Sequence, residues 1–298
     1  MNMTAPVIAL PAQFRGLTLA RLAGDVVAHA QDGWPPELIF DFGYLDFIRP
    51  AGVVFLSNLI HWLHEQNTTV KFLNTTRASQ ALLYLDDSLF FEQHCGAKVR
   101  VTASPRSTTR PLKKVAHRDS HAWLGSNLVP WLAMRLGITE ASLYPFKVCA
   151  SELFNNIQDH TRYDIGSIFV QHFPKEEGIN ICVSDFGLGI PNKVREKVDG
   201  LSDAAAILKA VEEGFTTKSQ SSNQGTGLDY LLKTVVLGNG GQVTIYSCES
   251  IIRFDRHGTT IKPYVFTNVG FCPGTTIEIN LRTDTIQVLP DEREDLQW

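Results

Sequence analysis

The sequence is poor in cysteine, and none of its cysteines forms a motif. Cys95, Cys149, Cys182, Cys248 and Cys272 are odd in number, widely scattered and never spaced Cys-x-x-Cys, which argues against a disulfide framework and suits reduced thiols in a cytoplasm. Long apolar runs are also missing. No stretch approaches the roughly 18 residues of a membrane span, and the N-terminus lacks a basic start followed by an apolar core and a small-residue cleavage site. A soluble, cytoplasmic protein with no membrane partner is expected. Neither charge dominates: the net charge is −4, which gives no general reason to expect nucleic acid as a partner. No repeat of fixed period and no low-complexity tract is visible. There is no Gly-x-x-x-x-Gly-Lys-Ser/Thr phosphate loop, and the Gly187-Leu188-Gly189 segment has Asn192 where a dinucleotide fingerprint needs its third glycine. His61 and His64 share a helix face, with no nearby Cys or carboxylate pattern to complete a zinc site.

What the chain does have is length and alternation. Its 298 residues are enough for two domains, which usually run about 100–150 residues each. Helical spacing of Leu17, Leu19, Ala20, Leu22, Ala23, Val26 and Val27 is followed by an apolar strand pattern at Leu38–Phe42. A helix starts at Pro50, a second strand covers Thr69–Leu73, and Ser79–Glu92 reads as helix. Strands alternating with helices predict an α/β layer with at least partly parallel pairing. Residues 100–120 are rich in Ser, Thr, Pro, Arg and Lys, a composition that buries little apolar area and reads as a solvated linker. The resulting division is a domain over 1–99, a linker over 100–120, a second domain over 121–290 and an acidic tail over 291–298.

Three short motifs then follow one another. In Ser151-Glu152-Leu153-Phe154-Asn155-Asn156-Ile157-Gln158-Asp159-His160, helical spacing puts Glu152, Asn156 and His160 on one stripe, with Leu153 and Ile157 on a packing face. Asp185-Phe186-Gly187-Leu188-Gly189-Ile190-Pro191 follows the apolar run Ile179–Val183 and so sits at a strand end. Asn223-Gln224-Gly225-Thr226-Gly227-Leu228 opens the periodic segment Leu228, Leu231, Leu232, Val235. Glycines let backbone N–H groups approach phosphate oxygens, and a helix start favours negative charge. The polar stretch Gly214–Ser222 between them fits a lid over a bound nucleotide.

Together these motifs resemble the Bergerat nucleotide-binding fold of the GHKL superfamily, named for gyrase, the ninety-kilodalton heat-shock chaperone, histidine kinases and MutL. The later Gly274-Thr275-Thr276-Ile277-Glu278-Ile279 resembles that family's closing strand. The resemblance covers roughly half the chain and implies ATP and Mg2+ as cofactors. It implies that Asn156 gives magnesium an oxygen, that Glu152 orients and deprotonates an attacking water, and that Asp185, with Thr275, accepts from the adenine amine. Gly187 and Gly189 would shape the adenine turn, Gly225, Thr226, Gly227 and Leu228 the phosphate cradle, and Lys218 would reach the terminal phosphate. His160 is expected to make a structural hydrogen bond.

Asp41-Phe42-Gly43-Tyr44-Leu45-Asp46-Phe47-Ile48-Arg49-Pro50-Ala51-Gly52 is similar to the central strand-to-helix turn of the STAS family, which includes antagonists of anti-sigma factors. Phosphoacceptors of that family carry an Asp-Ser-Ser-Gly-like turn. Here Arg49-Pro50-Ala51-Gly52 has no hydroxyl at the matching positions, which favours a binding or dimerising role. The expected architecture is α/β, with a STAS-like domain followed by a Bergerat sandwich whose mixed sheet is covered by helices on one face. The expected activity is hydrolysis of ATP, or transfer of its γ-phosphate, in a regulatory switch with a protein partner; homodimerisation is left open. The competing class is a non-hydrolysing, ATP-gated binding module.

Overall fold

The computed structural model describes residues 5–160, 165–185, 187–215 and 227–290, with the side chains of all of these but 158–160 and 165. In the first third of the chain, β1 (Val7–Ala9), β2 (Gln13–Phe14), β3 (Glu37–Asp41), β4 (Phe47–Ile48) and β5 (Thr69–Leu73) pair only in parallel, β1-β3-β5 in one sheet and β2-β4 beside it. Parallel neighbours need crossover connections, and α1 (Leu17–Ala28) and α2 (Pro50–Glu65) supply them. On α1 the buried residues are Leu19, Ala20, Leu22, Ala23 and Val26, one stripe. On α2 every residue from Pro50 to Ile60 is buried, as expected of a helix lying between two layers rather than on a surface.

The helix expected over 79–92 is instead two, α3 (Gln80–Asp87) and α4 (Phe90–Cys95). Leu89 adopts a left-handed φ of 63°, which no helix interior accommodates. The break turns Phe90 and Phe91 into the core.

The second part is built on an antiparallel sheet. Its strands are β6 (Thr109–Ala116), β7 (Ile165–Phe173), β8 (Gly178–Asp185), β9 (Gln242–His257) and β10 (Thr260–Arg282), in the order β6-β7-β8-β10-β9. Between β6 and β7 lie α5 (His117–Trp123), α6 (Val129–Leu136) and α7 (Tyr144–His160); between β8 and β9 lie α8 (Ile190–Arg195), α9 (Asp203–Ala210) and α10 (Leu228–Leu232).

Three expectations need correction. Thr109–Ala116, inside the stretch read as a solvated linker, is an edge strand that buries Thr109, Leu112 and Val115 and pairs with β7. Its register slips between Arg110 and Lys113, around Pro111, which has no N–H for the ladder. The sheet expected as mixed is antiparallel throughout among the described residues. It is also covered on both faces. Ile168, Val170, Ile181, Val183, Ile245 and Ile277 pack with the helices of the second part. The alternate residues Phe169, Cys182, Tyr246 and Cys272 join the apolar cluster of α1, α2, α3 and α4. Because both sets of alternating positions are apolar, neither face can be left to water. The result is a mixed α/β fold in which α2 is the shared middle layer.

Candidate functional site

β8 delivers Asp185 to its C-terminal end, where the side chain is buried. Its Oδ1 accepts from the Gly187 N–H at 2.7 Å and from the Thr275 N–H at 3.2 Å. Burial pushes the carboxyl up to about 6, against the pull of the Gly187 and Thr275 N–H groups and the Thr275 hydroxyl. The carboxylate is thus ionised near neutrality while keeping acceptor capacity beyond those two bonds.

The surrounding backbone closes around this carboxylate with no room for side chains. Gly189 has a φ of 84°, and a Cβ there would sit 2.7 Å from Ser247 Oγ. Gly274 has a φ of 63°, and a Cβ there would sit 2.8 Å from Asp185 Oδ1. Ser247, across from Thr275 in the β9–β10 register, ties the two turns together. Its Oγ donates to the Gly274 carbonyl at 2.9 Å and accepts from the Ile190 N–H at 3.1 Å. The register of β9 and β10 is irregular between Cys272 and Thr275, a bulge of the kind that re-aims a strand beside a site.

Helix α7 seats over the same strand end. Gly166 is the register partner of Asp185, and the space a Cβ would need at Gly166 is filled by the Ile157 side chain. Asn156, the neighbour of Ile157, is half-buried, as is Glu152 one turn earlier. The Asn155 Nδ2 donates to Glu152 Oε2 at 3.3 Å, and Asn155 Oδ1 lies 3.0 Å from His117 Nε2. Since the Asn155 amide nitrogen is spent on Glu152, its oxygen is the acceptor and His117 carries the proton on Nε2. A helix-borne carboxylate is thereby oriented by a second helix, α5.

Glu152 and Asn156 therefore share α7, and Asp185, Gly187, Gly189 and Thr275 share one turn cluster beside it. Gly227 directly precedes α10, whose Leu228 is buried with Leu231 and Leu232. Lys218, Gly225, Thr226 and residues 216–222 of the expected lid lie outside the described residues, as do the side chain of His160 and the acidic tail over 291–298. Sequence reasoning missed Asn155, His117 and Ser247. Asn155 is offset from the Glu152–Asn156 stripe, His117 fell in the stretch read as linker, and nothing local to Ser247 marks it.

No protein-family model matches the chain, and no curated protein does. Among solved structures, the B subunit of DNA gyrase from Myxococcus xanthus is similar at 17% identity and a TM-score of 0.22, over 40% of this chain. The aligned part is 32% of that subunit, about a third of its length. At that level the likeness establishes neither fold nor activity for this chain.

Proposed function

We propose that the chain binds ATP with magnesium in a GHKL-type site between α7 and the Asp185 turn, and hydrolyses the ATP or transfers its γ-phosphate within a regulatory switch. The observation that carries this reading is the Asp185 carboxylate, buried yet ionisable near neutrality and caged by positions that exclude a Cβ. Asp185 has backbone and hydroxyl donors and no cation partner among the described residues, which leaves its carboxylate acceptor capacity for a planar ligand's amine. Adenine offers that donor, and guanine offers an oxygen acceptor at the same ring position.

In this reading Asp185 and Thr275 select adenine, Gly187 and Gly189 let the base approach, and Gly225, Thr226, Gly227, Leu228 and Lys218 serve the phosphates. The donor set fits magnesium, a hard ion that takes one or two protein oxygens along with phosphate and water: Asn156 supplies a neutral oxygen one turn from a carboxylate. Bound there, magnesium would offset triphosphate charge. Glu152, held by Asn155, takes the proton from the water that attacks the γ-phosphorus.

The architecture proposed is a STAS-like unit over 1–99 followed by a Bergerat unit whose sheet begins with β6 at Thr109 and which runs to 290. The STAS-like turn supports a docking role. Arg49 forms a two-pronged ion pair with Glu176 at 3.2 and 3.3 Å, and its guanidinium lies 4.7 Å from the Phe173 ring centroid. The residue directly before the place of a phosphoacceptor serine is thus engaged with the β7–β8 turn. The switch proposed is controlled by a protein partner acting on the N-terminal unit.

The test is phosphate release by the whole chain and by Glu152→Gln, which keeps an acceptor for Asn155. Turnover should fall about 100-fold or more, the range of a lost general base, with ATP affinity kept. Equal release from both proteins, with ATP bound by both, would make the chain an ATP-gated binding module.

A further inference from the structure

Six consecutive residues of β10, 270–275, touch both parts of the molecule. Gly270, at a φ of 130°, lies so close to α1 that a Cβ would run into the Ala20 carbonyl, and a Cβ on Gly24 would sit 3.1 Å from Gly270 Cα. The Phe271 ring lies 5.5 Å from the Trp62 ring of α2. Cys272 is buried in the apolar cluster of the N-terminal helices. The Pro273 carbonyl accepts from the Nδ2 of Asn58, on α2, at 2.9 Å. The next two residues are the ones around Asp185: Gly274, packed against its carboxylate, and Thr275, whose N–H it accepts.

The ladder with β9 holds this strap at only two of its six residues, Cys272 opposite Cys248 and Thr275 opposite Ser247. Register with β9 is irregular from Thr267 to Cys272 and again from Cys272 to Thr275, so the backbone between those points takes its position from what packs on it. Four of the six residues pack on or bond to α1 and α2. Asn58 is fully buried, and its Oδ1 has no hydrogen-bond partner among the described residues. Leaving such an acceptor unmet is unfavourable, so an apolar side chain would fill the position more cheaply. What the carboxamide adds is its bond to Pro273.

We propose that Asn58 is a positioning residue for the Asp185 site, and that the N-terminal helices set the site's affinity for adenine nucleotides through the strap 270–275. A partner that shifts α2 against the sheet would move Pro273, and with it the Thr275 N–H relative to Asp185. The mechanical coupling stands on the contacts alone. Its consequence for nucleotide rests on the function proposed above.

The experiment uses the whole chain with 13C-labelled aspartate, followed by NMR through a pH titration without nucleotide, and then ATP titrations by calorimetry. The proteins are wild type, Asn58→Leu, which is close in size and lacks the donor, and Gly24→Ala, which favours the helix but presses on Gly270. In Asn58→Leu the Asp185 midpoint should rise by about half a unit as the Thr275 N–H withdraws. ATP affinity should fall about fivefold, the worth of one hydrogen bond. A variant that only loses stability would leave the Asp185 midpoint where it is. If every variant that folds keeps the wild-type midpoint, the proposal is overturned; Gly24→Ala decides should Asn58→Leu not fold. If the midpoint moves but wild type binds no ATP, the adenine reading falls and the coupling stands. If the midpoint moves and ATP affinity does not, control of nucleotide affinity is refuted.

Discussion

Thr275 and Asp185, 90 positions apart in sequence, are joined by a backbone hydrogen bond of 3.2 Å that closes β10 over the end of β8. The bond stabilises the charged carboxylate, yet burial outweighs it and leaves the Asp185 pKa at about 6, above its ordinary value of 3.8.

This imbalance makes Asp185 a cost to folding at neutral pH. A carboxyl with a raised pKa binds its proton more tightly in the folded chain than in the unfolded one. Its contribution is therefore fully present below pH 3.8 and is lost as pH rises through about 6. Asp185→Asn should be more stable than wild type at about pH 8, by on the order of 3 kcal/mol. In urea denaturation the advantage should vanish near pH 3.5. The same change should abolish adenine recognition: the Asn oxygen would keep the backbone N–H bonds and turn its NH2 toward the adenine amine. A variant less stable than wild type at pH 8 would contradict the account.

Asn156 separates metal from scaffold. Asn156→Ala should weaken ATP binding about tenfold in magnesium, a loss of roughly 1.4 kcal/mol, and far less in chelator. Equal losses in both conditions, measured by calorimetry, would make the side chain a support for α7 instead of a ligand.

How much of this was legible in sequence depended on how local the chemistry is. The Glu152–Asn156 stripe and the Asp185-x-Gly-x-Gly turn are set by neighbours in the chain, and α7 and the end of β8 lie where their spacing puts them. Strand β6 was illegible because its few apolar residues, Leu112 and Val115, gain a reason to be a strand only from pairing with β7. The closing-strand motif at Gly274–Ile279 belongs to β10, which forms with β9 a hairpin turning at Gly258. Residues 249–273 gave no strand reading because Arg253, Asp255, Arg256 and Lys262 interrupt their apolar positions and Gly270 and Pro273 break the run. The His117–Asn155–Glu152 chain is a tertiary contact that no periodicity encodes.

A cluster of basic groups lies beside the same joint. His94 Nε2 is 2.9 Å from Ser57 Oγ, and Lys114 Nζ is 3.1 Å from His61 Nδ1. Burial first, with Lys114 and the neighbouring imidazoles adding to it, pushes His61 down to about 3 and His94 to about 2, and His64 is lowered too despite Glu65. With folded values below the unfolded 6.5, stability from these groups is present above pH 6.5 and is lost as pH falls below it. Unfolding free energy should drop by at least about 1 kcal/mol between pH 6.5 and pH 5. The double variant His61→Gln, His94→Gln should flatten that slope. An unchanged slope would show that these imidazoles do not resist protonation in the folded chain.

The most direct test of the central claim is a calorimetric titration of wild type and Asp185→Asn with ATP and with GTP, both in magnesium. Wild type should bind ATP at a single site, with GTP at least about tenfold weaker because it offers Asp185 an acceptor in place of a donor, and Asp185→Asn should lose ATP binding while remaining folded. Folded wild type with no affinity for ATP, or with equal affinity for the two nucleotides, would contradict the account.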